Sequence, residues 1–162
     1  MPLSAAEFHT AYGNGWVLHD GREMVGTVIP GCGKAVGGAP GGSPAPAAVV
    51  RWVECLEAYY EGRASLLPNP GLCLVAGSTP LTRTIYEVVA GIPPGQTMTY
   101  GEVAAAAGRP GAARAVGAAM ASNPFAPVIP CHRVVGSDGT LRGYAGGVDT
   151  KASLLAMEAS YG

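Results

Sequence analysis

Cys131 stands beside His132 in the run Val128-Ile129-Pro130-Cys131-His132-Arg133-Val134-Val135. A free thiol ionises near pH ~8.5, so little of it is nucleophilic at neutral pH. A neighbouring imidazole can take the proton, directly or through a water, and release the thiolate. Adjacent residues of an extended chain point to opposite sides. A bridging water or a turn at Pro130 is therefore expected rather than direct contact, and Pro127 and Pro130 argue against a regular central strand. Cys32, Cys55 and Cys73 are far apart, with no C-x-x-C pair, and read as buried or incidental thiols. The alternative, a zinc site built from them with His9 or His19, is not supported by the spacing. No metal and no cofactor are expected.

The elements around this motif are legible. Ser78-Thr79-Pro80 is a helix start, a hydroxyl cap followed by proline. That helix runs through Ile85, Val88 and Val89 to Gly91. Thr99-Tyr100-Gly101-Glu102 fits a capping box and opens a short helix to Ala107. Gly108-Arg109-Pro110 breaks it, a second helix runs from about Gly111 to Ala121, and Asn123-Pro124 ends that one. Two short helices across a tight glycine turn form a helix-turn-helix pattern. The second carries Gly111, Ala112, Ala113, Ala115, Gly117, Ala118 and Ala119, with Arg114 as its only charge. Such small side chains suit either close packing on another helix or close approach of a DNA groove without base reading.

Upstream, Gly15–His19, an Asp20-Gly21 turn and Arg22–Ile29 read as a hairpin. Residues 30–46 are a Gly/Pro-rich loop, and Ala47 to Tyr60 is a helix with Val50, Val53, Leu56 and Tyr60 on one face. Residues 61–77 are irregular. The fold class is α/β of the α+β kind. A small sheet-plus-helix domain (1–77) precedes a mainly helical domain (78–162) with a winged helix-turn-helix at about 99–122.

The chain has 162 residues, 48% of them hydrophobic and only 13% charged, enough for a packed core. It has no apolar run long enough to span a membrane, about 18 residues, and no signal peptide at its start. A cytoplasmic location and reduced thiols follow. Net charge is −1, with −2 on residues 1–81 and +1 on residues 82–162. That is a faint basic footprint for a DNA-binding protein, which draws most of its affinity from phosphate neutralisation.

Together these motifs resemble the O6-alkylguanine-DNA alkyltransferases. Ile129–Val135 is similar to the family's active-site signature, and Asn123 lies where the family has its hinge asparagine. Ala113-Arg114-Ala115-Val116-Gly117 is similar to the recognition helix, and Thr99–Glu102 to the segment with the active-site tyrosine. Gly143-Tyr144-Ala145-Gly146-Gly147 is similar to the active-site loop, and Lys151 and Glu158 to the terminal-helix pattern. The resemblance covers residues 78 to 160. Before it, only the family's outline is present, a small sheet and a helix ending near Leu56–Gly62.

The resemblance implies that Cys131 accepts the alkyl group, that His132 takes its proton through a water, and that Glu158 orients the imidazole. Asn123 would hold the turn, Tyr100 would crowd the 3′ phosphate and protonate guanine, and Lys151 would pair with carbonyls near the thiolate. Tyr144, Ala145, Val134 and Met120 would bind the base, the carbonyl of Val134 accepting from its amino group. Arg114 would fill the gap left by a flipped base, with Ala113, Thr99 and Arg109 against the DNA. The implied function is irreversible transfer of the alkyl group of O6-alkylguanine in double-stranded DNA to Cys131 by a monomer. O4-alkylthymine stays open as a second substrate. Ala145 stands where some members have serine, and Ala121 and Gly111 are uncharged. An acceptor for small molecules with weak DNA binding is the alternative. A binding module lacking the cysteine is opposed by Cys131, and a base-reading regulator by the bare second helix.

Overall fold

The computed structural model describes residues 3–31, 45–63, 78–141, 143–144 and 146–160. Cys32, Cys73, Arg142, Ala145 and most of the 30–46 and 61–77 segments lie outside the described residues. Strands β1 (Ser4–Thr10), β2 (Gly13–His19) and β3 (Met24–Val28) form an antiparallel sheet in that order. Helix α1 (Ala47–Tyr60) packs against β1 and β2. Then come α2 (Pro80–Ala90), the two-residue strand β4 (Met98–Thr99), α3 (Tyr100–Ala106) and α4 (Ala113–Ala121). A 3₁₀ turn (Cys131–Arg133) leads into β5 (Val134–Val135), and α5 (Val148–Ala159) closes the described chain. The mixed α/β class read from sequence holds. Among the described residues no helix is long and apolar enough to cross a membrane.

The expected hairpin is β2–β3, its turn tied by the Asp20 carboxylate, which accepts from the amides of Arg22 and Glu23 at 2.9 and 3.0 Å. Strand β1 has no counterpart in the sequence reading. Of its seven residues only Phe8 is fully buried, so the segment carries almost no alternation. Phe8 fills the space over Gly15 of β2. A Cβ there would fall within the Phe8 ring edge and 2.7 Å from the Val28 carbonyl. Glycine at 15 is what lets an aromatic ring cross a strand at this height.

Helix α1 has the expected bounds, and Leu56, Tyr60 and the partly buried Val53 lie on its inner face as expected. Val49 and Tyr59 are buried as well, whereas Val50 is exposed. Valines occupy both 49 and 50, and the first of them faces the core. In α2, Thr79 Oγ1 accepts from the Thr82 amide, and Pro80 opens the helix. In α3 the capping box is complete. Thr99 Oγ1 accepts from the Glu102 amide at 3.1 Å, and Glu102 Oε2 accepts from the Thr99 amide at 2.8 Å. Helix α4 starts at Ala113, two residues later than expected, because Gly111 sits at φ +87° in the turn.

One apolar core joins both halves, with Phe8, Val17 and Leu56 alongside Ile85, Val116, Phe125 and Leu154. Polar stitches cross the same boundary. The Thr27 amide donates to the Pro124 carbonyl at 2.7 Å, and Thr27 Oγ1 donates to the Ala126 carbonyl at 2.6 Å. The parallel pairing Met98↔Val134 and Thr99↔Val135 brings the start of α3 alongside the exit of the Cys131–Arg133 turn. We expect Gly15→Ala to destabilise the protein by about 1–3 kcal/mol through overpacking, read as a lower midpoint in urea. A midpoint equal to the parent's would mean that Phe8 can move aside at no cost.

Candidate active site

Cys131 does not sit on extended chain. It opens the 3₁₀ turn, its amide donating to the Ile129 carbonyl at 2.8 Å. The turn at Pro130, not an alternating strand, sets the orientation of the two side chains. Asn123 holds the approach to it. Its Nδ2 donates to the Ile129 carbonyl at 2.7 Å, and its Oδ1 accepts from the Phe125 amide at 2.9 Å. One side chain thus ties both ends of the Phe125–Ile129 segment, which turns at Pro127 between Pro124 and Pro130.

Beneath the turn lies a buried ionic cluster. Glu158, Lys151 and Leu154 share the inward face of α5, all at 1% exposure or less. Glu158 Oε1 accepts from His132 Nε2 at 2.7 Å, Arg133 Nη2 at 2.6 Å and the Tyr59 hydroxyl at 2.6 Å. Its Oε2 accepts from Arg133 Nε at 2.9 Å, and Arg133 Nη1 donates to the Ile92 carbonyl at 2.7 Å. Arg133 therefore braces the motif from inside. Burial alone would push the Glu158 carboxyl up. Hydrogen bonds from His132, Arg133 and Tyr59 outweigh it and bring it from 4.5 to about 2. Burial pushes His132 down despite Glu158, so its imidazole is neutral at pH 7.

An ionised carboxylate only accepts, so Nε2 of neutral His132 must carry the proton. Its Nδ1 is then the basic nitrogen. Nδ1 is buried and has no hydrogen-bond partner among the described residues. The Cys131 thiol itself is pushed up by burial, which outweighs the Asn123 amide, the Lys151 charge and nearby backbone amides. Burial keeps it protonated at rest, and the base must act as the bond forms. Lys151 Nζ donates to the Val134 carbonyl at 2.7 Å, one of the carbonyls expected to accept from the base. A carbonyl has a second lone pair, so this contact leaves acceptor capacity.

A cavity of about 340 Å³ opens beside the thiol. That is the lower end of the range for small-ligand sites. Cys131, Asn123, Tyr100, Tyr144 and Met120 line it, together with Gly117, Ala121, Ala126 and Gly143. Thus five of the sequence-derived site residues meet in one cavity, and His132, Glu158, Lys151 and Val134 lie buried behind it. The DNA-facing candidates are elsewhere. Arg114 is exposed in the first turn of α4, with Ala113 half-buried before it. Arg109 is exposed between α3 and α4, and Thr99 caps α3. On α4, Val116, Ala119 and Met120 face the core, and Gly117 faces the cavity with open space where a Cβ would stand. Its smallness is not required by packing within the protein.

Two contributors were missed. Thr27, Val28 and Ile29 of the sheet segment form a cavity wall, and Tyr59 reaches the ionic cluster from α1. Their only sequence signal was the Tyr59-Tyr60 pair on the helix's inner face. Among the described residues no group of three or more His, Cys, Asp or Glu is placed to hold a metal.

The site joins a buried thiol, a histidine bound to a buried carboxylate and a cavity lined from α3 and α4. Residues 80–160 match the sequence model of the 6-O-methylguanine DNA methyltransferase DNA-binding domain. The chain is 50% identical over 103 residues to a Salmonella typhimurium methylated-DNA--protein-cysteine methyltransferase, a match spanning 64% of this chain and 59% of that relative. It is 45% identical over 113 residues to the Mycolicibacterium paratuberculosis protein of the same name, covering 70% of this chain and 67% of the other. The fold is similar to the crystal structure of Mycobacterium tuberculosis O6-methylguanine methyltransferase. The TM-score is 0.80 and the identity 30%, over 99% of this chain and 95% of that one. A structure of the M. tuberculosis protein in complex with DNA matches with TM-score 0.80 and 31% identity over 97% and 93%. The chain belongs to the 6-O-methylguanine DNA methyltransferase family.

Because Glu158 binds a proton less readily folded than unfolded, its stabilising contribution is complete above about pH 4.5 and is lost as pH falls towards 2. Glu158→Gln leaves the Arg133 charge buried without a counter-ion and should cost about 3 kcal/mol near pH 7. The gap in Tm between parent and variant should narrow steadily in acid below pH 4.5. A gap independent of pH would show that the carboxylate charge is not what is lost.

Proposed function

We propose that the protein reverses DNA damage directly, taking the alkyl group of O6-alkylguanine in duplex DNA onto Cys131 in a single turnover. The observation that carries this reading is the juxtaposition of the buried Cys131 thiol, the Glu158-bound His132 and a cavity large enough for one base. The DNA complex of the M. tuberculosis relative supports duplex DNA as the partner. O4-alkylthymine is a finer question of the same cavity.

The thiol cannot reach O6 inside a stacked duplex, so the nucleotide must rotate out. Arg114, exposed at the start of α4, fills the vacated stack. Ala113, Thr99 and Arg109 border the backbone, and the bare α4 surface lets it come close. Tyr100 at the cavity mouth crowds the 3′ phosphate and turns the nucleotide inward. Tyr144, Met120 and the loop backbone at 143–147, which includes Ala145, hold the base. The Val134 carbonyl accepts from its amino group. Residues 78–162 thus carry the DNA-facing chemistry, and residues 1–77 back it.

The Cys131 proton passes by way of a water to His132 Nδ1, and Glu158 stabilises the imidazolium. Sγ attacks the alkyl carbon, the carbon–O6 bond breaks, and guanine leaves with a proton from Tyr100. Asn123 and Lys151 hold the turn and the charge of the thiolate during the attack. The product is a thioether with no electrophilic carbonyl, so water cannot regenerate the thiol.

Incubation with an O6-methylguanine duplex should add one methyl group, and no more, to the intact protein, on a peptide containing Cys131. Cys131→Ala should gain none; a methylated Cys131→Ala protein would sink the assignment. Arg114→Ala should slow transfer from a duplex by about tenfold or more, since unstacking costs a few kcal/mol that the arginine offsets. Transfer from the free modified base should change far less. Equal slowing of both would remove Arg114 from base flipping. Duplex affinity that does not fall with added salt would argue for a small-molecule substrate instead.

A further inference from the structure

We propose that Tyr59 is a positioning residue of the Cys131–His132–Glu158 relay, its hydroxyl holding His132 in the tautomer whose Nδ1 lone pair is free to act as base. The inference rests on the alkyl-acceptor reading of the site. Tyr59 belongs to α1, outside the matched family segment 80–160, yet its hydroxyl lies 2.6 Å from Glu158 Oε1 and 3.2 Å from His132 Nε2.

The tyrosine has one proton, and the short bond commits it to the carboxylate. What remains on its oxygen is lone pairs, and these face Nε2. The Nε2–H of neutral His132 therefore has two acceptors, Glu158 Oε1 and Tyr59 Oη. The opposite tautomer would set an Nε2 lone pair against Glu158 Oε1, and Tyr59 could donate to it only by giving up its 2.6 Å bond to the carboxylate. That tautomer is disfavoured twice, once by each partner.

Placement of the hydroxyl is fixed in advance. The Tyr59 ring is 1% exposed and packs edge-on against Tyr60, with centroids 5.2 Å apart at 81°. Its centroid is 6.4 Å from that of the His132 ring, at 56°. Burial and the nearby Glu158 charge push the phenol well above its ordinary range, so it stays a donor at any pH where the protein works. A ring wedged this way restrains both the imidazole and the carboxylate against rotation. Arg133 holds the carboxylate through both oxygens, and Tyr59 adds the contact that reaches the carboxylate and the imidazole together. The N-terminal half would then supply part of the chemistry and not only a wall.

The test is Tyr59→Phe in the full chain, which keeps the ring and removes only the hydroxyl. Methyl transfer from an O6-methylguanine duplex should slow about three- to tenfold, the effect of one buried hydrogen bond on a proton-transfer step. Affinity for the unmodified duplex should stay within about twofold. The ¹⁵N shifts of the two His132 ring nitrogens should move towards one another as the tautomers mix, a change that packing loss would not cause. In a Glu158→Gln background the Tyr59→Phe factor should shrink towards one, because Tyr59 acts through Glu158. Parent-like ring shifts in Tyr59→Phe, or a rate factor that persists undiminished beside Glu158→Gln, would overturn the inference. The ring shifts need no substrate. They judge Tyr59 even if the parent takes no alkyl group from DNA, a result that would instead remove the alkyl-acceptor reading. They also suffice alone should Glu158→Gln fold too poorly to assay.

Discussion

Everything in the site depends on one buried carboxylate. Glu158 is fully inaccessible and ionised, a state that costs several kcal/mol unless partners replace the lost water. Four hydrogen bonds do so, and they join three separate places, two that donate and one that accepts. His132 and Arg133 follow the cysteine in the 3₁₀ turn, Tyr59 descends from α1, and the carboxylate itself rides on α5. Satisfying this one group pins the turn to α5 and to the N-terminal half at once. The reactive thiol is attached to that fixed point, so its geometry follows from the need to solvate a charge that sits where no water reaches.

The same arrangement explains why the thiol is quiet at rest. A neutral imidazole and a protonated Cys131 involve no separated charge. Creating the ion pair is worthwhile only when an electrophilic carbon fills the adjacent cavity. Burial disfavours the thiolate, the form of a cysteine that reacts as a nucleophile. Asn123 contributes by tying Phe125 and Ile129 together, which keeps a proline-rich segment in a single path to the cysteine.

Much of this was legible in the sequence, and the reasons for the gaps are specific. The caps at Thr79 and Thr99 announced α2 and α3 because cap chemistry is local. Cys131, Asn123, Tyr100 and Tyr144 were legible through the family resemblance of their motifs, and they do meet in one cavity, with His132 buried behind it. Strand β1 was invisible because one buried residue, Phe8, makes no pattern. Val50 was placed on the inner face of α1 because Val49 and Val50 are interchangeable in a hydrophobic count. Tyr59 was missed because contacts between residues 99 positions apart, as in its bond to Glu158, leave no trace in local order. In α5 the inward face reads Lys151, Leu154, Glu158. An apolar stripe cannot reveal a helix that buries two charges out of three.

That face of α5 has a mechanical meaning as well. Lys151 and Glu158 are separated by close to two full turns, and each residue inserted or removed between them would rotate the second by about 100° about the axis. Substitutions at Ala152, Ser153 and Ala156, which point outward, leave that angle alone. The helix works as a gauge block, tolerant of what is written on its outer surface and intolerant of any change in its length. Natural variation within this stretch should therefore consist of exchanges and not of gaps.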